Sequence, residues 1–137
     1  MVDSGKMALG EMRVFGGTAH PGLTEEICAV LGIPKGEIEL KRFSDGEIHC
    51  YVLENVRGAD VFIIQPTHPP AENLLELLLM VDAFRRASAR QITAIVPYFP
   101  YGRQERMARG REAISARVVA SMLEEVGVDR VIYVDIH

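Results

Sequence analysis

Between Arg103 and Arg117 the chain sets five of its fifteen basic residues against two acids, Glu105 and Glu112. That segment carries +3 on a chain of net charge −4, leaving −7 on the remainder. The run Tyr98–Arg117 that contains it begins just past the apolar run Ile92–Val96, so it leaves the C-terminal end of a strand. Guanidinium groups present planar forks of N–H donors that match phosphate oxygens. A cationic loop in that position suits the gripping of a polyanion, although from charge alone a solvated loop is an equal reading. Asp135 and His137 stand at the end of a second apolar run, on the edge where open α/β sheets place their ligands.

Alternating elements must hold these groups. Met12–Phe15 reads as a short strand ending in Gly16-Gly17-Thr18, and Leu23–Leu31 as a helix stopped by Gly32 and Pro34. Glu37–Phe43 and Ile48–Leu53 alternate in period two around Ser44-Asp45-Gly46, an antiparallel hairpin. Taken alone, Asp45-Gly46 is a turn and Phe43 a core residue. Val61–Gln65 is a continuous apolar strand closed by Pro66.

The longest helix runs from Pro70 to about Ser88, with Glu72 and Glu76 at its positive end and Arg85, Arg86 and Arg90 near its negative end. Its apolar residues go nearly all the way round, which predicts burial on two sides, by the sheet and by another subunit. Ile92–Val96 is the next strand, Glu112–Val126 a helix capped by Gly127, and Arg130–Ile136 the last strand. Strands separated by helices predict a mainly parallel sheet with helices on both faces. His20 reads as a local helix-start residue; His49 and His68 have no evident partner; Glu25-Glu26 and Glu124-Glu125 read as exposed helix faces.

At 137 residues the chain is one domain's worth, with 48% hydrophobic and 25% charged residues, as in ordinary globular proteins. Its longest apolar run in the leucine-rich region, Leu77–Val81, is far too short to span a membrane, and its opening does not read as a secretory leader. Cys28 and Cys50 fit no metal or redox spacing and read as buried free thiols of a cytoplasmic protein. The acidic balance argues against general nucleic-acid binding. Residues 1–11 lack periodicity and read as a disordered leader, an upstream start or a cloning remnant. An apolar last strand with nothing after it reads as the first half of a longer chain.

Four segments in register carry a resemblance: RFSDGEI at 42–48, NVRG at 55–58, PYFPYGRQER at 97–106 and VDIH at 134–137. Together they closely resemble the N-terminal half of the ribose-phosphate pyrophosphokinases over residues 12–137. The resemblance implies a three-layer, phosphoribosyltransferase-like α/β fold with a small antiparallel hairpin, in the nucleotide-binding domain of a two-domain subunit whose C-terminal domain is absent here. It implies transfer of diphosphate from MgATP to ribose 5-phosphate, with Mg2+ as cofactor, in a homo-oligomer that is usually a hexamer. Neither nucleic acid nor membrane is an expected partner.

The site residues follow from the same resemblance. Phe43, Asp45 and Glu47 match an adenine pocket lent by a neighbouring subunit; the ring would stack and the carboxylates accept the exocyclic amine. Arg103 and Gln104 match the pair holding the nucleotide and its phosphates, and His137 a histidine at the metal–nucleotide centre. Arg57 matches an arginine of the allosteric phosphate site, and Arg111 lies in a loop that helps bind the inhibitory nucleotide. Glu105, Met107 and Ala113 depart from the usual aspartate, basic residue and proline, and Asn55 from a serine; these changes bear on regulation more than on activity. The ribose-phosphate loop and the catalytic lysine belong to the missing half, so this fragment alone should not turn over. A regulatory homologue that assembles with active subunits is the rival reading, and an RNA- or polyanion-binding module a third.

Overall fold

In the computed structural model, which describes residues 10–97, 107 and 110–133, the chain forms β1 (Met12–Gly16), α1 (Pro21–Leu31), β2 (Ile38–Arg42) and β3 (Ile48–Val52). Then follow β4 (Asp60–Ile64), α2 (Glu72–Arg86), β5 (Gln91–Val96), α3 (Ser115–Val126) and β6 (Arg130–Tyr133). β1-β4-β5-β6 make one sheet in that order with every pairing parallel, while β2 and β3 form a separate antiparallel hairpin. The sequence reading of a mainly parallel α/β fold with a hairpin excursion is therefore met. Asp135, His137 and the stretch 98–106 lie outside the described residues.

Successive strand residues point to opposite faces, and both faces are used. On one side Val14 and Ile64 pack with Cys28 of α1, joined by the partly buried Leu23, Ile27, Phe62 and Ile95. On the other, Phe15, Val61, Ile63, Ile92, Ala94 and Val96 meet α2 and α3 through Leu77, Met80, Val81, Phe84, Val119 and Leu123. The rings of Phe15 and Phe84 lie 4.6 Å apart at the centre of this larger core. Burial on both faces is why the β4 and β5 runs are apolar without alternation.

α2 is indeed covered on two sides, but the second cover comes from the same chain. After α1 the backbone turns round the outer rim of β1, where Lys35 bridges Val14 and the Gly36 amide donates to Val14 O at 2.7 Å. A Cβ on Gly36 would fall 2.4 Å from the Phe15 ring, so only glycine passes here. The crossing delivers the hairpin to the α2 side, and Ile38, Leu40, Cys50 and Val52 close over the large core. On α2 itself, Leu75 remains about half exposed.

Local chemistry sets the helix ends. His20 caps α1, its Nδ1 accepting from the Leu23 amide at 3.1 Å, and Pro21 follows at the first position. Gly32 and Gly127 end α1 and α3 in the left-handed region. α3 starts three residues later than its apolar stripe suggested, because Ile114, at φ −98° and ψ 85°, is not helical and stands at the cap. Glu25, Glu26, Glu124 and Glu125 are exposed, as expected of solvated helix faces. Among the described residues no helix is long and apolar enough to cross a membrane.

Candidate functional site

The hairpin tip is held by its own backbone. The Phe43 amide donates to Glu47 O and the Gly46 amide to Phe43 O, both at 2.8 Å, with Gly46 at φ 94°. Asp45 Oδ1 accepts from the Glu47 amide at 3.0 Å, and Arg42 Nη1 donates to Gly46 O at 2.9 Å. Within this frame Phe43 is 49% exposed, so it is not the core residue that a bare turn would suggest. Its ring lies 5.3 Å from that of His49 at an interplanar angle of 56°. Asp45 and Glu47 are exposed beside it. One aromatic ring with two carboxylates close by in a solvated turn can stack a flat base and accept hydrogen bonds from its amine.

At the sheet's C-terminal edge, β5 and β6 finish side by side, with Val96 paired to Tyr133. The segment carrying Arg103 and Gln104 follows β5 in the chain, and the one carrying His137 follows β6, so both are entered from adjacent points on one edge. The three residues themselves lie outside the described residues. The other end of the same edge is occupied by a network that sequence reasoning missed. Glu76 is 5% exposed, and its carboxylate accepts from the Thr18 amide at 2.7 Å, Thr18 Oγ1 at 2.9 Å and Gln65 Nε2 at 2.8 Å. Gln65 in turn accepts from the Ala19 amide at 3.2 Å and donates to Asn73 O at 3.1 Å. A Cβ on Gly17 would lie 2.2 Å from Gln65 Oε1, which explains the glycine at that point.

Glu76 is thus no surface charge serving the helix dipole; it is a buried clamp on the loop after β1. A carboxylate set in an otherwise apolar helical run was the available signal. Arg90 likewise serves no helix end and pairs with Asp60 at 2.8 Å.

Arg57 and Arg111 are both exposed. Arg57 sits on a turn fixed by Asn55 Oδ1, which accepts the Arg57 amide at 3.0 Å, on the side where β4 begins. Arg111 precedes α3, which starts from the opposite side, where β5 ends, so a single chain does not bring the two together at one edge.

Among the described residues no three His, Cys, Asp or Glu side chains gather as metal ligands. Both cysteines are free. Burial pushes the Cys28 thiol above its ordinary range, and burial, then the charge of Glu76, pushes Cys50 up to about 11. Both remain thiols at neutral pH.

A four-stranded parallel sheet flanked by helices on both faces, with an antiparallel hairpin folded over one of them, defines an α/β domain whose ligand edge lies at the strand C-termini. Residues 12–127 match the N-terminal domain of ribose phosphate pyrophosphokinase, and the chain belongs to that family. Among its relatives, "Ribose-phosphate pyrophosphokinase 1, chloroplastic" of Oryza sativa subsp. japonica is 55% identical, over 92% of this chain and 32% of the relative. "Ribose-phosphate pyrophosphokinase 1" of Spinacia oleracea is 54% identical, over 92% of this chain and 38% of the relative. The crystal structure of phosphoribosylpyrophosphate synthetase from Mycobacterium smegmatis superposes with a TM-score of 0.89 at 42% identity, covering 93% of this chain and 43% of that one. The chain thus spans only about a third of the length of the curated relatives it matches.

Proposed function

We propose that this domain supplies the ATP-binding side of an enzyme that transfers diphosphate from MgATP to ribose 5-phosphate. In that reaction the sugar's 1-hydroxyl oxygen bonds to the β-phosphorus, the bond from the β-phosphorus to the oxygen bridging it to the α-phosphate breaks, and AMP departs. The observation that carries the reading is the half-exposed Phe43 at the tip of a hydrogen-bonded hairpin, flanked by Asp45 and Glu47. Buried apolar surface is the usual fate of phenylalanine, and this ring is instead presented to solvent beside two carboxylates. The hairpin tip would cup the adenine of a site on a neighbouring copy. Arg103 and Gln104 would hold the phosphates, and His137 would sit near the metal-bearing nucleotide. The protein's task is position and charge neutralisation, the main demands of phosphoryl-type transfer.

On this reading the working protein is a cytoplasmic homo-oligomer, Arg57 and Arg111 belong to sites for regulatory anions, and the fragment alone is inactive. Phe43→Ala in the full-length enzyme tests it. The substitution is expected to raise KM for ATP about tenfold, the worth of one good aromatic stack on a base, and to leave KM for ribose 5-phosphate unchanged. Equal rises in the two constants, or none, would dismiss the assignment.

A further inference from the structure

His49 had no partner in the sequence, yet in the fold it is the side chain against which Phe43 leans. The two residues are diagonal neighbours on the outward face of the hairpin: Lys41 pairs with His49, and Phe43 lies two residues further along. Such diagonal positions lie within reach of aromatic side chains. The rings meet at 5.3 Å and 56°, inside the range of tilted aromatic pairs. A single tilted neighbour leaves a face of the phenyl ring open to a ligand.

The imidazole also has a neighbour on its other side. Its Nδ1 is covered and lies 3.4 Å from Glu39 Oε2, without a well-formed hydrogen bond among the described residues. The same carboxylate oxygen lies 3.4 Å from Lys41 Nζ. Glu39, Lys41, His49 and Phe43 thus form a chain of contacts across the outward face, ending on the exposed ring. Without His49, a phenylalanine at the end of a strand with half its surface in water would sample several rotamers, and a base would have to order it on binding.

We infer that His49 is a positioning residue for the base-stacking ring, pre-setting Phe43 for a purine; this rests on the reading of Phe43 as the adenine platform. The energy of an aromatic pair corresponds to about a two- to tenfold change in affinity. In the full-length enzyme, His49→Ala should raise KM for ATP by that factor while kcat and KM for ribose 5-phosphate stay level. His49→Phe, which keeps a ring at the position, should restore the wild-type KM. In a Phe43→Ala background the His49→Ala change should add nothing, since the ring it orients is gone. Both positions are partly exposed on the hairpin's outward face, so the melting temperature is expected to hold. If Phe43→Ala raises KM for ATP but His49→Ala does not, or His49→Phe fails to rescue, the positioning role is wrong and the adenine platform stands. A parallel rise in both KM values on His49→Ala, or a lowered melting temperature, would mark a general defect and also overturn it. No effect from Phe43→Ala would remove the platform and the inference together.

Discussion

Glu76→Ala probes the clamp on the loop after β1. The carboxylate accepts three hydrogen bonds, from the Thr18 amide, Thr18 Oγ1 and Gln65 Nε2. A bond to a charged group contributes about 1.5–3 kcal/mol, and a buried donor left unpaired costs about 1–3 kcal/mol. The full sum overstates the loss. Thr18 is exposed, so both its donors can turn to water, while Gln65 is fully buried but keeps Asn73 O. The balance is a loss of about 2–4 kcal/mol. With a urea dependence of about 2 kcal/mol per molar for a domain of this size, the unfolding midpoint should fall by about 1–2 M. Hydrogen exchange gives the local check: the Thr18 and Ala19 amides, now bonded to Glu76 and Gln65, should lose protection more than the β4 amides do. Glu76→Gln, which keeps one acceptor but turns an amide NH2 on existing donors, should fall between. A midpoint within about 0.3 M of the parent, or unchanged Thr18 protection, would refute the clamp and return Glu76 to the role of a tolerated buried charge.

Two further perturbations follow from the packing and the thiols. Gly36→Ala should cost about 1–3 kcal/mol in urea unfolding, because its Cβ would meet the Phe15 ring at 2.4 Å inside the core; an unchanged midpoint would mean the crossing round β1 can slide outward. The Cys50 thiol is raised to about 11 by burial and by Glu76, so the folded protein holds its proton longer than the unfolded chain does. Stability is therefore whole below the ordinary thiol range and is lost as pH climbs toward about 11. A shift of that size corresponds to roughly 3 kcal/mol, reduced to about 1 kcal/mol because the group is only partly covered. Cys50→Ser should flatten that alkaline decline, measured by urea midpoints between about pH 8.5 and 11.

How far the sequence could be read varied with the range of the interaction. Val61–Ile64 and Ile92–Val96 were legible because strands covered on both faces need apolar residues without a break. Gly32 and Gly127 marked helix ends, since a left-handed residue is a local demand that glycine meets. The start of α3 was less so, because an apolar stripe cannot register the non-helical backbone at Ile114. Glu76 looked like a dipole partner, because its position near a helix start was visible and its contact with a loop 58 residues away was not. The cover on α2 was assigned to another subunit for the same reason: nothing local tells that the hairpin will be carried round β1. Of the candidate site, the turn about Asp45 was plain, while the contact of His49 with Phe43 needed the strand register. Arg103, Gln104 and His137 could be placed only as far as the strands that lead to them.

The crossing at Lys35 and Gly36 makes the two rims of the sheet unequal. At β1 the chain folds back on itself and occupies hydrogen-bonding positions that a foreign strand would need, whereas β6 closes the order of described strands with Ile132 half exposed. Unguarded rims invite strand addition, and guarded ones resist it. Among the described residues, lengthening of this sheet therefore meets less obstruction at β6 than at β1, where the hairpin's crossing already sits on the rim.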